Sequence, residues 1–401
     1  MDTKQESSDM RIVHIISSID PAHGGPQGGC IRLAAAQSNQ GHDVHIVSYG
    51  GPDIQRRAFK AADTVPHFAS IKWHLLADPD MKERILCLQG RKQLQAILDT
   101  ASFVHVHGVW EPLLKVAAKI AHGKGIPYCV QPHGMLDVWS LKQKAFKKRI
   151  ALLLGYRAML NNAKFILALN ADEAQLLKPL ELASPNLIIP NGVFLEEFEE
   201  LPSHGFFKER FPLIGNKRVI LFLSRLHTKK GLDVLATAFA RIANSYPDVD
   251  LVVAGPDGGA RDAFINLVGQ LHLNDRVHLV GGLYGKDKLR ALVDATCFCL
   301  PSRQEGFSVA ILEALACGLP VVISDACHFP EVRSARAGAV VTLAPDDVAS
   351  GLCDILSDAG MAHAMGRNGR QLVRDQYTWP QIAASTINGY MGSIRPTLPA
   401  S

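Results

Sequence analysis

The sequence lacks several features that would assign it to a common class of protein. Its 42 Lys and Arg residues against 38 Asp and Glu residues give a net charge of only +4, which is too small to indicate nucleic-acid binding. No apolar stretch reaches the roughly 20 residues needed to cross a bilayer. The polar start, Met1 to Asp9, lacks the apolar core of a signal peptide. We therefore expect a cytoplasmic protein that binds no nucleic acid.

Cysteines are few and scattered. Most of the eight lie inside apolar runs, as Cys87, Cys129 and Cys317 do, and cysteine in that setting is usually a reduced small hydrophobe. Cys297 and Cys299 form a close pair, but no second pair stands at metal-ligand spacing. The cysteine pattern therefore does not indicate zinc.

Two Asp-x-Asp sequences are the other candidates for a metal site. Asp78-Pro79-Asp80 precedes a predicted helix at Met81 and is typical of a helix cap. Asp248-Val249-Asp250 precedes a predicted strand at its amino end, whereas sheets of this kind bind ligands beyond the carboxyl ends of their strands. We predict no essential metal and no other cofactor.

Short β-branched strands alternate with longer helical stretches along the chain. The predicted strands are residues 12–16, 44–48, 104–107, 128–131, 165–169 and 187–189, and then 219–223, 251–254, 277–279, 297–300, 321–323 and 339–342. Such alternation is typical of parallel sheets with helices on both faces, and here it occurs twice. The fold class is therefore α/β, with two doubly wound, Rossmann-like domains.

A chain of 401 residues with 47% hydrophobic content can bury two sizeable cores. The acidic, proline-containing stretch 196–202 predicts the boundary between them. We predict domains over residues 1–195 and 196–377, followed by a helical stretch over 378–401. Ligands of such sheets bind beyond the carboxyl ends of the strands, so two facing domains would place a cleft between them.

The segment from Pro301 to Pro320, PSRQEGFSVAILEALACGLP, carries the strongest functional signal. It lies between two predicted strands and predicts a helix whose first turn contains Gly306, Phe307 and Ser308. The amino end of such a helix presents free N–H groups and the positive end of the helix dipole. The segment is therefore a candidate anion site.

Two glutamates flank the apolar part of that segment. On one continuous helix, Glu305 and Glu313 would lie within about 80° of each other and about 12 Å apart along the axis, roughly the span from hexose to ribose in a nucleotide sugar. Glu313 stands among apolar residues, where a carboxylate without partners is costly. The alternative is that the two glutamates are a helix cap and part of a solvated face.

The same segment resembles the Glu-x7-Glu motif of the retaining glycosyltransferases of family 4, which have the GT-B fold of two Rossmann-like domains separated by a cleft. Further matches follow in the expected order: Gly24-Gly25-Pro26, His133-Gly134, Asn191-Gly192-Val193, and Arg225 with Lys230. The resemblance implies a metal-independent hexosyltransferase that uses a nucleotide sugar, with residues 378–401 crossing back to the first domain. Ala326-Cys327-His328 departs from the glycines that the family often has there, so contacts around Pro330 and Glu331 are not carried over.

The resemblance also implies roles for individual residues. Arg225 and Lys230 would neutralise the diphosphate, Glu305 would hold the donor sugar and Glu313 the ribose, while His133 would assist at the sugar. The predicted catalytic residues are His133, Arg225, Lys230 and Glu305. The predicted donor-binding residues are Gly24, Gly25, Arg225, Lys230, Gly282, Leu283, Glu305, Gly306, Phe307, Ser308 and Glu313.

Three further residues of the first domain have open assignments. His107 and Trp110 follow predicted strands, and a structural or a functional role fits each of them equally well. His23 lies where inverting GT-B enzymes often place a general base, so it would be the base if this chain inverted. The glycine cluster around Gly24 also suggests a dinucleotide-binding turn, but Pro26 breaks the required spacing, so NAD binding is not favoured.

The stretch 139–160 combines cations, among them Lys142, Lys144, Lys148 and Arg149, with apolar residues. A basic amphipathic helix of this kind can lie on an anionic membrane surface. The alternatives are the solvated face of a helix that packs on the core, and a surface for an anionic acceptor. The family resemblance favours peripheral contact with the inner face of the cytoplasmic membrane.

Together these observations predict a retaining glycosyltransferase that moves a hexose from a UDP- or GDP-sugar to a glycan or lipid-linked acceptor. An exopolysaccharide or surface-glycan pathway is the expected setting. The alternatives are a sugar-nucleotide 2-epimerase of similar two-domain shape, which would convert its donor without an acceptor, and a non-catalytic nucleotide-sugar-binding scaffold.

Overall fold

A computed structural model describes residues 9–136 and 145–392 of the chain. These residues divide into two compact units. The first comprises the described residues up to Phe194 together with the helix that begins at Trp379, and the second comprises Leu195–Thr378. Both are α/β, as the alternating pattern predicts.

The first unit is built on a seven-stranded sheet whose order is β3-β2-β1-β4-β5-β6-β7, and each neighbouring pair is parallel. Its strands are β1 (Arg11–Ser18), β2 (Asp43–Tyr49), β3 (Lys72–Leu76), β4 (Phe103–His107), β5 (Tyr128–Gln131), β6 (Phe165–Ala168) and β7 (Asn186–Ile188). Its described α-helices are α1 (Gly25–Asn39), α2 (Pro52–Ala62), α3 (Met81–Leu86), α4 (Leu88–Ile97), α5 (Pro112–Gly123), α6 (Ala145–Ala151), α7 (Arg157–Asn161) and α8 (Ala171–Leu177).

The second unit is built on a six-stranded parallel sheet whose order is β10-β9-β8-β11-β12-β13. Its strands are β8 (Arg218–Leu223), β9 (Val249–Ala254), β10 (Val277–Gly281), β11 (Cys297–Leu300), β12 (Val321–Ser324) and β13 (Gly338–Val341). Its α-helices are α9 (Phe206–Arg210), α10 (Leu232–Ile242), α11 (Arg261–Gln270), α12 (Gly285–Asp294), α13 (Val309–Ala316), α14 (Glu331–Ser334), α15 (Pro345–Ser357) and α16 (Ala359–Gln376).

The last described helix, α17 (Trp379–Met391), belongs to the first unit. Its Tyr390 ring stacks on Phe103 of β4 with the ring centroids 4.0 Å apart, and both side chains are almost completely buried. The Trp379 N–H donates to the carbonyl oxygen of Val193 at 2.9 Å. Burial of large aromatic side chains is a major source of packing free energy, so α17 is part of the core of this unit.

Strand order reverses direction at the first strand of each sheet. In the first unit the neighbours β1 and β4 flank the reversal, and in the second unit β8 and β11 do. Open α/β sheets bind ligands beyond the carboxyl ends of the strands at such a switch point. The topology therefore points to the loops after β1 and β4 and to the loops after β8 and β11.

Most predicted strands match the structure to within one or two residues, but two features differ. Strand β3 was missed, because Lys72–Leu76 is a short edge strand with only five residues. Asp250 lies inside β9 rather than before it, and it is 1% exposed. Its carboxylate accepts hydrogen bonds from Lys217, Arg276 and His278, so it is a buried structural acid.

The described part of the basic stretch 139–160 is helical but is not one continuous helix. Helices α6 and α7 are separated at Leu154 and Gly155, and Gly155 has a φ of 98°. A residue with positive φ cannot continue a right-handed helix. Residues 137–144, which include Trp139, Lys142 and Lys144, lie outside the described residues. No helix among the described residues is both long and apolar enough to span a membrane.

Candidate functional site

The loop between β11 and α13 contains most of the motif residues, but its helix starts later than the sequence predicts. Helix α13 begins at Val309, with Ser308 as its N-cap in an extended conformation. Gly306 and Phe307 therefore precede the helix instead of forming its first turn. Glu305 lies outside the helix as well, so the prediction that Glu305 and Glu313 share one continuous helix is wrong. The chain between β11 and Val309 is irregular, with bends at Arg303 and Gly306.

Glu305 is buried and held on several sides. Its carboxylate accepts two hydrogen bonds from the Lys230 ammonium, at 2.6 and 2.8 Å, and one from the Ser302 hydroxyl at 2.5 Å. The backbone N–H of Glu305 donates to the carbonyl oxygen of Ala326 at 3.0 Å. The sequence predicted both Lys230 and Glu305 as site residues, and the structure brings them into direct contact. Ser302 was missed, because a hydroxyl three residues away gives no distinctive signal.

Lys230 follows β8 and lies next to the loop after β11. It ends a short 3₁₀ turn, Thr228–Lys230, and Gly231 comes next with a φ of 67°. A Cβ atom on Gly231 would lie 1.8 Å from the carbonyl oxygen of Pro301, so only glycine permits this approach of the two loops. The ion pair between Lys230 and Glu305 therefore forms where the loops of neighbouring strands β8 and β11 meet, at the switch point of the second sheet.

A second contact fixes the same two loops. Arg303 donates to both carboxylate oxygens of Asp233, at 2.7 and 2.6 Å, and to the carbonyl oxygen of Thr228 at 2.9 Å. The hydrogen bonds from Arg303 lower the pKa of Asp233, which keeps the pair ionised. Sequence reasoning missed both residues, because the two lie 70 positions apart and neither belongs to a recognisable motif.

Arg225 lies just beyond β8 and is exposed. A Cβ atom on Gly258 would lie 2.8 Å from Cγ of Arg225, so the glycine leaves room for the arginine stem. Arg225 and Lys230 thus both follow β8, as expected for two cations at the carboxyl end of one strand. Their positions suit an anion at the switch point.

Glu313 is buried in α13, and its partner is Lys288 of α12, whose ammonium lies 2.6 Å from Oε1 of Glu313. The sequence indicates that this carboxylate needs a partner, but it does not identify Lys288, which lies 25 positions away. Gly282 and Leu283 precede α12, so they lie in the segment that leads to Lys288. Leu283 is buried, whereas Gly282 is exposed.

The early glycines lie where a helix begins. Gly24 has a φ of 110° and is the N-cap of α1, and Gly25 is the first residue of that helix. Gly25 has no positive φ, and a Cβ atom on it would meet nothing within 4 Å. Neither conformation nor packing therefore requires glycine at position 25. What the glycine provides is open space in front of the first helix of the unit.

His133 and Gly134 both have left-handed backbone conformations, with φ of 53° and 73°. The Gly134 N–H donates to Glu173 at 2.7 Å, and the same carboxylate accepts from the Leu169 N–H at 2.6 Å. Nε2 of His133 lies 3.2 Å from Nδ1 of His107. Burial lowers the pKa of His133 to about 4, so the ring is neutral at pH 7. The structure thus joins two histidines that the sequence left with separate roles.

A cavity of about 740 Å³ lies at the carboxyl ends of the central strands of the first unit. Its walls include Ile16 and Ser18 of β1, His107 of β4, and Gln27 and Glu111. Oε1 of Gln27 is buried there and has no hydrogen-bond partner among the residues that the structure describes. The volume is in the range of small-molecule sites. Gln27 and Glu111 were missed, since neither stands in a distinctive motif.

The remaining residues with open assignments are less informative. Nε1 of Trp110 donates to the carbonyl oxygen of Met135 at 3.3 Å, and the ammonium of Lys148 lies 5.2 Å from the centre of the Trp110 ring. Trp110 therefore has a packing role whether or not it meets a ligand. The side chain of His23 lies outside the described part of the chain. Asp80 is the N-cap of α3, as the sequence predicted, and accepts a hydrogen bond from the Glu83 N–H.

Two Rossmann-like units, with an ion-paired site at the switch point of the second, fit the GT-B class of glycosyltransferases, and comparison with known proteins gives the family. The model described as "Glycosyl transferase 4-like domain" matches residues 24–192, and "Glycosyl transferases group 1" matches residues 205–372. An uncharacterized glycosyltransferase of Methanocaldococcus jannaschii is 30% identical over 379 residues, covering 90% of this chain and 92% of that protein. The chain belongs to the group 1, family 4-like glycosyltransferases.

Two other comparisons bear on the donor and the fold. A GDP-mannose-dependent alpha-(1-6)-phosphatidylinositol monomannoside mannosyltransferase of Mycobacterium tuberculosis is 32% identical over 217 residues, covering 51% of this chain and 55% of that protein. The structure of Alr3699/HepE from Anabaena in complex with UDP and glucose has a TM-score of 0.77 at 18% identity, covering 96% of this chain and 100% of that one. The predicted family and fold class are thereby confirmed.

Proposed function

We propose that this glycosyltransferase transfers a hexose, with retention of anomeric configuration, from a UDP- or GDP-sugar to a glycan or lipid-linked acceptor. The observation that carries the proposal is the junction of the loops after β8 and β11. There a lysine ammonium, a buried carboxylate and the start of α13 are brought together at the switch point of one sheet. The relative that uses GDP-mannose and the similar structure that binds UDP support a nucleotide-sugar donor.

The leaving group explains the cations in this proposal. Departure of a nucleoside diphosphate places negative charge on the β-phosphate oxygens as the glycosidic bond breaks. Lys230 and Arg225 neutralise that charge, and Glu305 holds the Lys230 ammonium in place while leaving a donor for phosphate. The N-cap Ser308 makes no side-chain cap hydrogen bond, and we propose that the first N–H groups of α13 bind the diphosphate. We therefore propose that no metal is essential.

In this proposal the two glutamates bind the donor sugar and the ribose. Glu305 accepts from a hydroxyl of the donor sugar, and Glu313, supported by Lys288, accepts from the ribose hydroxyls. The base lies against the backbone near Gly282 and Leu283, which explains why no side-chain motif specifies UDP or GDP. In the first unit, His133 is proposed to assist at the sugar, and Gly24 and Gly25 to leave room for it. The leaving phosphate assists deprotonation of the acceptor hydroxyl, so the reaction requires no protein nucleophile.

The acceptor is proposed to occupy the cavity of the first unit that Gln27 and Glu111 line. Oε1 of Gln27 is buried and has no hydrogen-bond partner among the described residues, so it can accept a hydrogen bond from a sugar hydroxyl. Within the described part of the stretch 139–160, Phe146, Leu153 and Leu154 are 76%, 84% and 66% exposed. Exposed apolar side chains beside Lys148 and Arg149 suit the interface of an anionic membrane. We therefore propose a membrane-bound acceptor in exopolysaccharide or surface-glycan synthesis.

The test is transfer with a panel of UDP- and GDP-hexoses and alkyl-glycoside or lipid-linked acceptors, with and without EDTA. We expect acceptor-dependent release of one nucleoside diphosphate, unaffected by EDTA, and a product whose anomeric coupling constant matches that of the donor. An inverted product would overturn retention, and loss of activity in EDTA would overturn metal independence. Conversion of the donor at C2 without an acceptor would establish the epimerase alternative.

A further inference from the structure

A row of histidines runs from the candidate sugar contact into the core of the first unit. Nε2 of His133 lies 3.2 Å from Nδ1 of His107, and Nε2 of His107 lies 2.9 Å from Nδ1 of His14. His107 and His14 are on β4 and β1, the strands that flank the switch point of the first sheet. The three rings are therefore joined end to end through alternate nitrogen atoms.

The inner end of the row is anchored by an amide and a phenol. Nε2 of His14 lies 2.7 Å from Oε1 of Gln37 in α1. The Gln37 amide nitrogen donates to the Tyr390 hydroxyl at 3.2 Å, and that hydroxyl lies 2.6 Å from Nδ1 of His105. All of these side chains are buried, with His14 and Gln37 fully inaccessible. Buried polar groups of this kind need their partners, so the bonds constrain one another.

Each imidazole in the row is neutral. Burial lowers the pKa of His14 and of His133 to about 4, and it lowers the pKa of His105 and His107 well below 6.5. A neutral imidazole carries one N–H donor and one lone pair. A bond between two such rings therefore has a single direction, and the direction of one bond fixes the direction of the next.

That direction follows from the amide. Because Oε1 of Gln37 can only accept, the N–H of His14 must be on Nε2, which leaves Nδ1 as an acceptor. His107 must then donate from Nε2, so its Nδ1 accepts the Nε2–H of His133. Rotating the Gln37 amide by 180° would reverse every bond in the row. In the observed orientation the Gln37 amide nitrogen donates to the Tyr390 hydroxyl, and that hydroxyl donates to Nδ1 of His105.

We propose that Gln37 and Tyr390 are positioning residues that act through His14 and His107 to fix His133 as its Nε2–H tautomer. Nδ1 of His133 is then a hydrogen-bond acceptor for a hydroxyl of the bound sugar. The role at the sugar rests on the proposed function, whereas the tautomer is a property of the protein alone. With the opposite tautomer, Nδ1–H would donate to the sugar hydroxyl instead of accepting from it.

A competing interpretation of the same residues is a metal site. One donor atom each from His14, Cys30 and His107 lies within 4.8 Å of the others. However, the lone pair on Nδ1 of His14 already accepts from His107, and burial raises the pKa of the Cys30 thiol, which disfavours the thiolate that would bind a metal. A metal would have to replace the shared hydrogen between the two rings.

The tautomer is measured by nitrogen NMR of histidine side chains in the full-length, 15N-labelled protein. At pH 7 we expect the ring signals of His14, His107 and His133 to have the pattern of the neutral Nε2–H form. Tyr390→Phe keeps the ring that stacks on Phe103 and removes the anchor of Gln37, so His133 should become a mixture of tautomers. Gln37→Leu removes the acceptor itself and should have the same effect.

The matched control is Tyr128→Phe, which removes another buried hydroxyl bond, to the carbonyl oxygen of Met159, in the same unit. It should leave the His133 signals unchanged. The proposal is overturned if wild-type His133 is the Nδ1–H form or already a mixture. An unchanged His133 in a folded Tyr390→Phe protein also overturns it, as does a stoichiometric metal that is lost in Cys30→Ala.

Kinetics supply the second readout. Where transfer is observed, Tyr390→Phe should lower kcat/KM about fivefold, which is the effect of one neutral hydrogen bond, while Tyr128→Phe should not. Equal losses of kcat/KM in Tyr390→Phe and Tyr128→Phe would show that the histidine row has only a structural role and would overturn the positioning role. Failure to find any transfer would contradict the proposed function and leave the NMR result standing, so the two failures are distinguishable.

Discussion

The Cα atom of Gly231 faces the carbonyl oxygen of Pro301 so closely that a Cβ atom would lie 1.8 Å from it. This approach brings the residue before it, Lys230, into contact with Glu305 across the loops that follow β8 and β11. The φ of Gly231, 67°, would by itself favour glycine. The shape of the candidate diphosphate site therefore depends on one position that has no side chain.

Gly231→Ala should destabilise the second unit and weaken nucleotide binding. The left-handed conformation costs alanine roughly 1–2 kcal/mol, and the backbone shift that relieves the contact with Pro301 should add roughly 1–3 kcal/mol. Gly205→Ala is the matched control, because Gly205 is also left-handed, with a φ of 103°, and a Cβ atom on it would meet nothing within 4 Å. Calorimetric unfolding of both variants measures the difference. Equal losses would show that the contact with Pro301 is not what requires glycine.

Binding of pyrophosphate, which has no ribose, distinguishes the proposed roles of Lys230 and Glu313. Lys230→Gln should weaken binding of both pyrophosphate and the nucleoside diphosphate at least tenfold, since it removes a charge-assisted hydrogen bond. Glu313→Gln should weaken only the nucleotide, which carries the ribose. Titration calorimetry measures both ligands, and Lys286→Gln, an exposed cation in the first turn of α12, serves as the control. If Glu313→Gln weakened pyrophosphate equally, the ribose assignment would be wrong.

Acid should destabilise the first unit through its buried histidines. The pKa of His14 is about 4 in the folded protein and 6.5 in the unfolded chain, because burial disfavours the charged ring. The contribution of neutral His14 to the free energy of unfolding is complete above pH 6.5. It is lost as the pH falls from 6.5 towards 4, since the unfolded state then binds more protons. For His14 alone the loss between pH 7 and pH 5 is about 2 kcal/mol.

Tryptophan fluorescence during urea unfolding checks that prediction. Trp73, Trp110 and Trp379 lie in the first unit, and the sequence of the second unit, Leu195–Thr378, contains no tryptophan. The free energy of unfolding of His14→Leu should fall less between pH 7 and pH 5 than that of the wild type. Parallel losses in the two proteins would mean that His14 takes up a proton equally readily in both states.

The exposed apolar residues around α6 should support binding to anionic vesicles. Leu153→Ser, at a side chain that is 84% exposed, should reduce partitioning roughly tenfold, because a leucine buried in the interface contributes about 1.5–3 kcal/mol. Leu213→Ser, at a side chain of the second unit that is 87% exposed, should not. Sedimentation with vesicles of anionic and neutral lipid measures both. Equal binding of the two variants, or no preference for anionic lipid, would contradict membrane contact through this stretch.

Much of the fold was predictable, because strand positions depend on local patterns. Runs such as the one from Val219 to Leu223 are apolar, β-branched and bounded by turns. Those features can be recognised from the sequence alone. Strand β3 was not predictable in the same way, since it includes Lys72, Trp73 and His74 at the edge of a sheet. Edge strands obey weaker patterns because one side of the strand has no partner.

The site was predictable only as a set of residue types. Family resemblance placed Lys230, Glu305 and Glu313, but their contacts with one another and with Lys288 depend on the tertiary fold. The helix start at Val309 was misplaced because Gly306-Phe307-Ser308 is compatible with either a loop or a first helical turn. The histidine row could not be predicted either, because its contacts also depend on the tertiary fold. Gln37 and Tyr390 are 353 positions apart and meet only when α17 packs in the first unit.

The most direct test of the central claim is titration of UDP and GDP into wild type, Lys230→Gln and Lys229→Gln, with EDTA present throughout. The account predicts that wild type and Lys229→Gln bind one of the two nucleotides with affinities within about twofold, and that Lys230→Gln binds it at least tenfold more weakly. Equal affinity in wild type and Lys230→Gln, or no binding of either nucleotide to the folded wild type, would contradict the assignment of this loop junction as the diphosphate site.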